Sequence, residues 1–239
     1  RMSDRSIKLG TEKNCYYCGA IATSKEHVPP KCFFPESKDV KDGKNYRKKL
    51  ITVPSCDLHN SAKSHDDEHL LVMLSINILN NDQGNEHAKG KVLRALKRSK
   101  GLQESCFKDV QSVIVEDTKR KTVENTVAIK LDDERFNSAI EHIAKAIYFH
   151  HFGTQCNERI QAIYHGAISI GEADDVSRNE NNESLRKHAD LILESVEVLG
   201  DNPDIFNYKI LEVSENIITF IMRFTFYGGN QVTVIGRSA

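Results

Sequence analysis

Two linked stretches decide the fold: CYYCGAIATSKEHVPP at residues 15–30 and SCDLHNSAK at residues 55–63. The first stretch opens with two cysteines that are separated by two residues, and the second holds a cysteine and a histidine with the same separation. Each pair can converge from one tight turn, and three thiolates with one imidazole suit a tetrahedral Zn2+ ion. The sequence therefore predicts a structural zinc site whose ligands are Cys15, Cys18, Cys56 and His59.

The first 65 residues differ chemically from the rest of the chain. They hold 13 Lys and Arg against 7 Asp and Glu, a net charge of +6, whereas residues 66–239 hold 20 against 27, a net charge of -7. Four of the five prolines and four of the six cysteines also lie in this first part. A unit this small usually needs a metal or disulfides to be stable. A redox function of the C-x2-C pair is disfavoured because no βαβ pattern surrounds it.

The whole composition is that of an ordinary globular protein. The 239 residues are 39% hydrophobic and 28% charged, which suits one or two compact domains and excludes collagen-like, mucin-like and wholly disordered chains. We see no run of 18 apolar residues and no apolar signal peptide, so we expect a cytoplasmic protein without a membrane partner. In that reducing compartment a metal ion is favoured over disulfides.

Four further residues of defined type stand between and after the two ligand pairs. Glu26 and His27 lie in a Glu-His-Val-Pro-Pro segment, and Asn60 follows His59 directly, with Lys63 three residues later. The order C-x2-C, Glu-His-Val-x-Pro and Cys-x2-His-Asn resembles the HNH (His-Asn-His, or ββα-metal) nuclease family, in the subgroup whose nuclease motif is braced by zinc. The resemblance covers roughly residues 13–70, about a quarter of the chain.

The resemblance implies a role for three of these residues. Glu26 would bind a catalytic divalent metal, His27 would be the general base that activates water, and Asn60 would be a second metal ligand or would position the loop of the base. A neutral imidazole can accept a proton near physiological pH. Carboxylate and amide oxygens are hard ligands suited to Mg2+ or Mn2+. We therefore expect two metals, a structural Zn2+ and a catalytic Mg2+ or Mn2+.

The sequence departs from the family pattern at two places. Glu26 stands where many members have Asp or His, and the third histidine of the family name is not clearly placed. His65, Asp67 and His69 follow Asn60 on a predicted helix and are candidates to complete the site. Acidic residues in the first turn of a helix are equally typical of a purely structural role.

Lysines near the motif are candidates for nucleic-acid contacts. Lys25, Lys31 and Lys63 would neutralise phosphates beside the site, although a run of charges is as often a solvated surface. A helix predicted over residues 85–100 also carries a basic face. No recognition helix or repeat that reads bases is visible.

We predict an α+β fold in two parts. Residues 1–80 would form the zinc-braced ββα-metal (treble-clef-like) HNH motif, and residues 81–239 would form an α+β domain with an antiparallel sheet. Helices are predicted over residues 132–152 and 182–199, a polar loop over 174–182, and three antiparallel strands over 206–213, 217–227 and 231–235.

The expected function is a metal-dependent endonuclease that hydrolyses phosphodiester bonds of DNA, in a context such as bacterial anti-phage defence. Two alternatives stay open, namely a non-catalytic zinc-finger module that binds nucleic acid and an RNA-directed nuclease. The acidic region 81–239 is longer than the motif needs, so we expect it to bind a regulatory protein partner, to form a homodimer or to sense a ligand.

Overall fold

A computed structural model describes residues 13–41, 43–61, 64–117, 121–213 and 217–238. The seven helices of this described part are α1 (Asp57–Ser61), α2 (Ser64–Ser75), α3 (Asp82–His87), α4 (Leu93–Arg98), α5 (Lys100–Cys106), α6 (Asp133–Phe152) and α7 (Asp175–Ile192). Its nine strands are β1 (Ser24–Val28), β2 (Ile51–Ser55), β3 (Val110–Asp117), β4 (Thr122–Ile129), β5 (Arg159–Tyr164), β6 (Leu199–Asn202), β7 (Phe206–Glu212), β8 (Ile218–Phe226) and β9 (Asn230–Arg237). A π-helical turn, Ala88–Val92, joins α3 to α4.

The segment with the nuclease resemblance forms a hairpin followed by helices. Strands β1 and β2 pair antiparallel, with Glu26 opposite Val53 and His27 opposite Thr52. Because side chains alternate along a strand, Glu26 and Val53 both point into the protein. The hairpin therefore presents a carboxylate to the interior and its neighbouring imidazole to a more open position.

A five-stranded antiparallel sheet forms the largest layer, in the order β5-β9-β8-β7-β6. Strand β8 is central and almost fully buried. The three strands predicted near the end of the chain are confirmed as β7, β8 and β9. Gly229 in the β8–β9 turn is required by packing, because a Cβ there would collide with the carbonyl of Leu79 from the loop between α2 and α3.

Helix α6 lies at the centre of the molecule and confirms the helix predicted over residues 132–152. The side chain of Asp132 caps its start by accepting from the backbone of Arg135 at 3.2 Å, and Gly153 ends it in the left-handed conformation (φ 74°). One buried stripe, which includes Ile140 and Ile147, packs between α2, the β1–β2 hairpin and β5. The helix therefore connects the N-terminal hairpin to the main sheet.

The loop predicted over residues 174–182 is wrong, because these residues form the first half of α7. Local hydrogen bonds stabilise this polar start. Asp175 accepts from the Ser169 hydroxyl at 2.7 Å, and Asn179 accepts from the Ser169 backbone at 2.8 Å. The helix predicted to continue to residue 199 ends at Ile192 instead.

The buried residues form one continuous apolar cluster. It runs from Cys15 and Tyr16 through α2 and α6 to the strands of the main sheet, and Cys32 packs against it. The predicted mixed class with antiparallel sheets is confirmed, whereas the division into residues 1–80 and 81–239 stays a prediction. In the part of the chain that the structure describes, no helix combines the length and apolar character that crossing a bilayer requires.

A buried amide network fixes the loop after α2 to the main sheet. The Asn230 amide donates to the carbonyl of Leu74 at 2.9 Å and to the side-chain oxygen of Asn80 at 2.6 Å. Its oxygen accepts from the Tyr164 hydroxyl at 2.6 Å and from the Asn77 amide at 2.9 Å. Four hydrogen bonds thus converge on one fully buried side chain.

We expect Asn230→Ala to lower the free energy of unfolding by about 2–3 kcal/mol, because it leaves buried donors and acceptors without partners. Urea denaturation of the parent and the variant measures this loss. The control is Asn157→Ala, an exposed residue whose replacement should change stability by less than about 0.5 kcal/mol. Similar values for the two variants would contradict the role of the network.

Candidate metal centre

The first ligand pair lies in a tight turn. The Cys15 backbone N–H donates to the carbonyl of Ala20 at 2.7 Å, and the N–H of Gly19 donates back to Cys15 at 3.0 Å. Gly19 adopts the left-handed conformation (φ 75°), which a residue with a side chain rarely adopts. The glycine directly after the C-x2-C pair therefore lets both thiols face the same side.

The second ligand pair lies at the start of α1. The backbone N–H groups of His59 and Asn60 both donate to the carbonyl of Cys56, at 3.1 and 3.0 Å. The Tyr16 N–H donates to the carbonyl of Pro54 at 2.9 Å and so ties the first turn to the end of β2. Backbone hydrogen bonds thus bring the two turns together.

The structure brings together all four residues predicted as zinc ligands. Their ligand atoms lie within 4.8 Å of one another. Cys18 Sγ and Cys56 Sγ are 3.8 Å apart, and His59 Nδ1 lies 3.2 Å from Cys56 Sγ and 3.9 Å from Cys15 Sγ. Around a tetrahedral zinc ion the expected separations are about 3.8 Å between sulfurs and about 3.5 Å between sulfur and nitrogen. This Cys3His cluster can bind a metal such as zinc.

The surroundings of Cys15 favour the thiolate that a metal requires. Burial opposes ionisation, but backbone N–H groups of Cys18, Cys56 and Tyr17 point at the sulfur and lower the pKa of Cys15 below its ordinary value. All six cysteines are free of disulfides. The three cysteines of the cluster are therefore free thiols that are available to a metal.

Helix α6 holds the metal centre through Tyr17, a contact that sequence reasoning missed. The Tyr17 ring is stacked between His59 (centroids 4.5 Å apart) and His142 of α6 (4.4 Å). The Lys145 ammonium lies 4.4 Å from the centre of the same ring, and the Tyr17 hydroxyl donates to Glu141 at 3.2 Å. The only sequence signal was the aromatic residue between the two cysteines, which gives no indication of its partner.

Glu26 and His27 lie on β1 but in different surroundings. Glu26 is buried beside Tyr16, and burial together with the negative charge of Glu26 raises the pKa of the Tyr16 phenol far above its ordinary value. His27 is half-buried, and burial with the positive charges of Lys31 and Arg47 lowers its pKa. The imidazole of His27 is therefore neutral at pH 7.

Asn60 braces the hairpin that carries Glu26 and His27. Its side-chain amide donates to the Ser24 hydroxyl at 2.8 Å, and that hydroxyl donates to the carbonyl of Ser55 at 3.2 Å. A bond from α1 thus reaches the first residue of β1 and the last residue of β2. This contact is what a positioning role for Asn60 requires.

The remaining candidates are spread along α2. His65 is exposed, and its carbonyl accepts from Arg135, which also pairs with Asp66 at 2.8 Å. Asp67 is partly buried and acts electrostatically on Tyr16, and His69 is buried. Of the described residues, Glu26, His65, Asp67 and His69 supply no group of three ligand atoms within 4.8 Å.

The structure describes two of the three lysines that are predicted to contact nucleic acid. Lys25 and Lys31 are exposed near the hairpin, and Lys63 lies outside the described residues.

A second group with ligand atoms close together, Glu172, Asp174 and Asp175, lies on the surface at the start of α7. Arg178 forms ion pairs with Glu172 at 3.0 Å and with Asp174 at 2.7 Å. These pairs explain the acidic group as part of the polar start of a helix.

Comparison of the chain with protein families, with curated proteins and with solved structures finds no match.

We expect purified protein to carry about one zinc ion per chain, and Cys56→Ser to remove most of it, because the variant keeps only three of the four ligands. Elemental analysis after gel filtration measures the zinc content. The matched control is Cys106→Ser, which changes a buried cysteine outside the cluster and should retain the metal. Equal metal loss in the two variants, or a metal-free parent, would overturn the assignment.

We expect Tyr17→Ala to destabilise the protein by about 1–2 kcal/mol and to speed metal release, because it removes two stacked contacts and a cation–π contact. Urea denaturation and the rate of transfer to a chromogenic chelator measure the two effects. Tyr17→Phe keeps the ring and loses only the hydroxyl, so it should release metal at nearly the parent rate. A Phe variant as weak as the Ala variant would refute the stacking role.

Proposed function

We propose that the chain is a metal-dependent endonuclease of the HNH type, which hydrolyses phosphodiester bonds of DNA and is braced by zinc in the Cys3His cluster. The supporting observation is the arrangement of the cluster. It lies at the base of the β1–β2 hairpin, which is followed by helices, and the first strand carries Glu26 and His27 side by side. A hairpin, a helix and an adjacent acid–histidine pair are the parts that the resemblance requires.

The residues suit a hydrolytic role in the following way. His27, neutral at pH 7, would take a proton from the attacking water. Asn60 would hold β1 in place through Ser24, so that the imidazole keeps its position. Lys31 would supply positive charge near the substrate phosphate.

A catalytic divalent metal would need hard oxygen donors, and Glu26, on the buried side of the hairpin, is the donor that the resemblance implies. Asp67 of α2 is a second candidate, since the negative charges of Glu26 and Asp67 both contribute to the raised pKa of the Tyr16 phenol. Such hard donors would hold Mg2+ or Mn2+, and Asn60 or His65 would be further ligands. The ion would neutralise charge on the phosphate and lower the pKa of water.

One observation favours a second candidate, a zinc-finger module that binds nucleic acid without cleaving it. In the described residues, the carboxylate and imidazole groups outside the Cys3His cluster do not converge as three close ligand atoms around β1 and α2. A binding module needs the zinc cluster and the basic surface, and it does not need such convergence. An RNA-directed nuclease would use the same site as the DNA nuclease, so substrate tests must include RNA.

We expect the protein to nick supercoiled plasmid when Mg2+ or Mn2+ is added, and His27→Ala to lower the rate by at least about 100-fold, because the general base is lost. Gel separation of nicked and supercoiled plasmid measures the rate, and a labelled RNA of equal length is tested in parallel. Omission of the divalent metal is preferable to a chelator, which would also attack the zinc.

The matched control is His151→Ala, an exposed histidine at the end of α6. It should nick at the parent rate, and both variants should keep the parent zinc content. Equal nicking rates for the parent and His27→Ala would show that His27 is not the general base. Nucleic-acid binding without metal-dependent cleavage would favour the binding module. A defence role would appear as His27-dependent protection of cells in phage plating.

A further inference from the structure

A cavity of about 240 Å3 lies between the turn Ser37–Asp39, α2 and the helical segment of residues 88–98, and its lining includes none of the proposed catalytic residues. Its floor is apolar and includes Leu71 and Val72 of α2 and Val92 of the π-helical turn. The volume is below that of typical pockets for drug-sized ligands, which begin at about 300 Å3. The space therefore suits a small group rather than a whole cofactor.

The rim of this cavity is basic. Four positively charged side chains, Lys38, Lys91, Arg94 and Arg98, line it against two negatively charged ones, Glu36 and Glu68, so the lining carries a net charge of +2. The sequence is rich in positive charge here, since residues 89–100 hold six Lys and Arg and no Asp or Glu. We refer to the space that these six charged side chains line as the basic cavity. Its charge favours an anion.

Lys91 is the most enclosed cation of the basic cavity. It is half-buried, and its ammonium donates to the carbonyl of Cys32 at 3.2 Å, which uses one of its three N–H donors. Burial lowers the pKa of Lys91, as expected for an ammonium that has lost water. Neither Lys91 nor Arg98 forms an ion pair with another described residue. The negative charges of Glu36 and Asp39 act on Lys91, but these carboxylates pair with Lys38 and Arg94. An anion in the cavity would give Lys91 a direct negative partner.

The backbone around Lys91 is irregular. Lys91 lies in the π-helical turn Ala88–Val92, and π-helical turns occur frequently at functional sites. Arg94 and Arg98 follow at helical spacing, so all three cations can face one side. Asp39 fixes Arg94 by accepting from one guanidinium nitrogen through both carboxylate oxygens, each at 2.8 Å. The guanidinium is thus pre-positioned at the rim.

The basic cavity and the proposed nuclease site are linked by a short stretch of chain. Glu68 of its rim directly follows Asp67 on α2, and Cys32 of its lining lies five residues after His27. The Arg47 guanidinium lies close enough to act electrostatically on both His27 and Lys91. The Lys31–Phe33 turn follows β1, which carries His27, and contributes Cys32 to the lining of the cavity.

We propose that the basic cavity is a phosphate-binding subsite that holds the backbone of the nucleic-acid strand beside the phosphate to be cleaved, a proposal that rests on the nuclease function proposed above. The ligand group is a phosphodiester, held by Lys91, Arg94 and Arg98. The lining contains no aromatic ring on which a base would stack. The subsite therefore contacts the backbone and contributes affinity without sequence preference.

The test measures binding without cleavage. Fluorescence anisotropy of a labelled DNA duplex, without added Mg2+ or Mn2+, gives the affinity at several salt concentrations for the parent and for Lys91→Ala/Arg98→Ala. At about 0.15 M salt the double variant should bind about 10-fold more weakly, and its slope of log affinity against log salt should be smaller by about 2. Arg98→Gln alone, at an exposed position, should lower the slope by about 1 and guards against misfolding of the double variant.

The matched control is Lys97→Ala/Lys100→Ala, which removes two exposed cations of the same region that do not line the cavity. It should bind within about 2-fold of the parent. Equal losses in both double variants would show general electrostatic attraction and overturn the subsite, as would parent-like binding by Lys91→Ala/Arg98→Ala. Binding of millimolar inorganic phosphate that depends on Lys91 but leaves DNA binding unchanged would assign the cavity to a free anion. That result would also overturn the subsite.

Plasmid nicking separates this proposal from the nuclease proposal. If His27-dependent nicking is found while Lys91→Ala/Arg98→Ala binds like the parent, the subsite is wrong and the nuclease stands. If that variant loses binding while no preparation nicks DNA or RNA, the nuclease is wrong. The cavity would then bind the backbone phosphates of nucleic acid in a module that does not cleave it. The part of the proposal that places the cavity beside a phosphate to be cleaved would be wrong.

Discussion

The convergence of four ligand atoms from two turns is the constraint on which the N-terminal structure depends. Cys18 and Cys56 are 38 residues apart in sequence, yet their sulfurs lie 3.8 Å apart. Closing a loop of this length costs conformational entropy, and negatively charged thiolates at such a distance repel one another. A bound cation removes the repulsion and holds the loop closed, so its binding free energy contributes directly to folding. The β1–β2 hairpin lies inside this loop and depends on the same closure.

The metal centre reaches the rest of the protein through aromatic packing. Tyr17 stacks on the ligand His59 and on His142 of α6, and α6 packs in turn against the main sheet. The Gln155 amide, beyond the end of α6, donates to the carbonyl of Cys15 at 3.3 Å. The orientation of the hairpin therefore follows from α6 as well as from the Cys3His cluster. The region after residue 80 therefore supports the candidate site physically.

Local signals explain what the sequence predicted, and tertiary contacts explain what it missed. The ligand pairs and α6 were predictable because spacing, capping by Asp132 and the stop at Gly153 are local. The start of α7 was missed because Asp175 and Asn179 satisfy their polar groups on Ser169, and such a polar stretch resembles a loop in sequence. The stacking of Tyr17 between His59 and His142 joins residues from separate segments, and so does the lining of the basic cavity. No periodicity within one segment encodes either feature.

The charge distribution shows why a net value misleads about binding. The sequence divides into a basic part before residue 66 and an acidic part after it, but three cations of the acidic part, Lys91, Arg94 and Arg98, line the basic cavity. Exposed charges separated by more than about 8–10 Å are screened at physiological salt, so a bound strand responds to nearby cations rather than to the sum over the chain. In the proposed subsite, Lys91 and Arg98 would therefore act on the same strand as Lys31, although the sequence assigns these residues to parts of opposite charge.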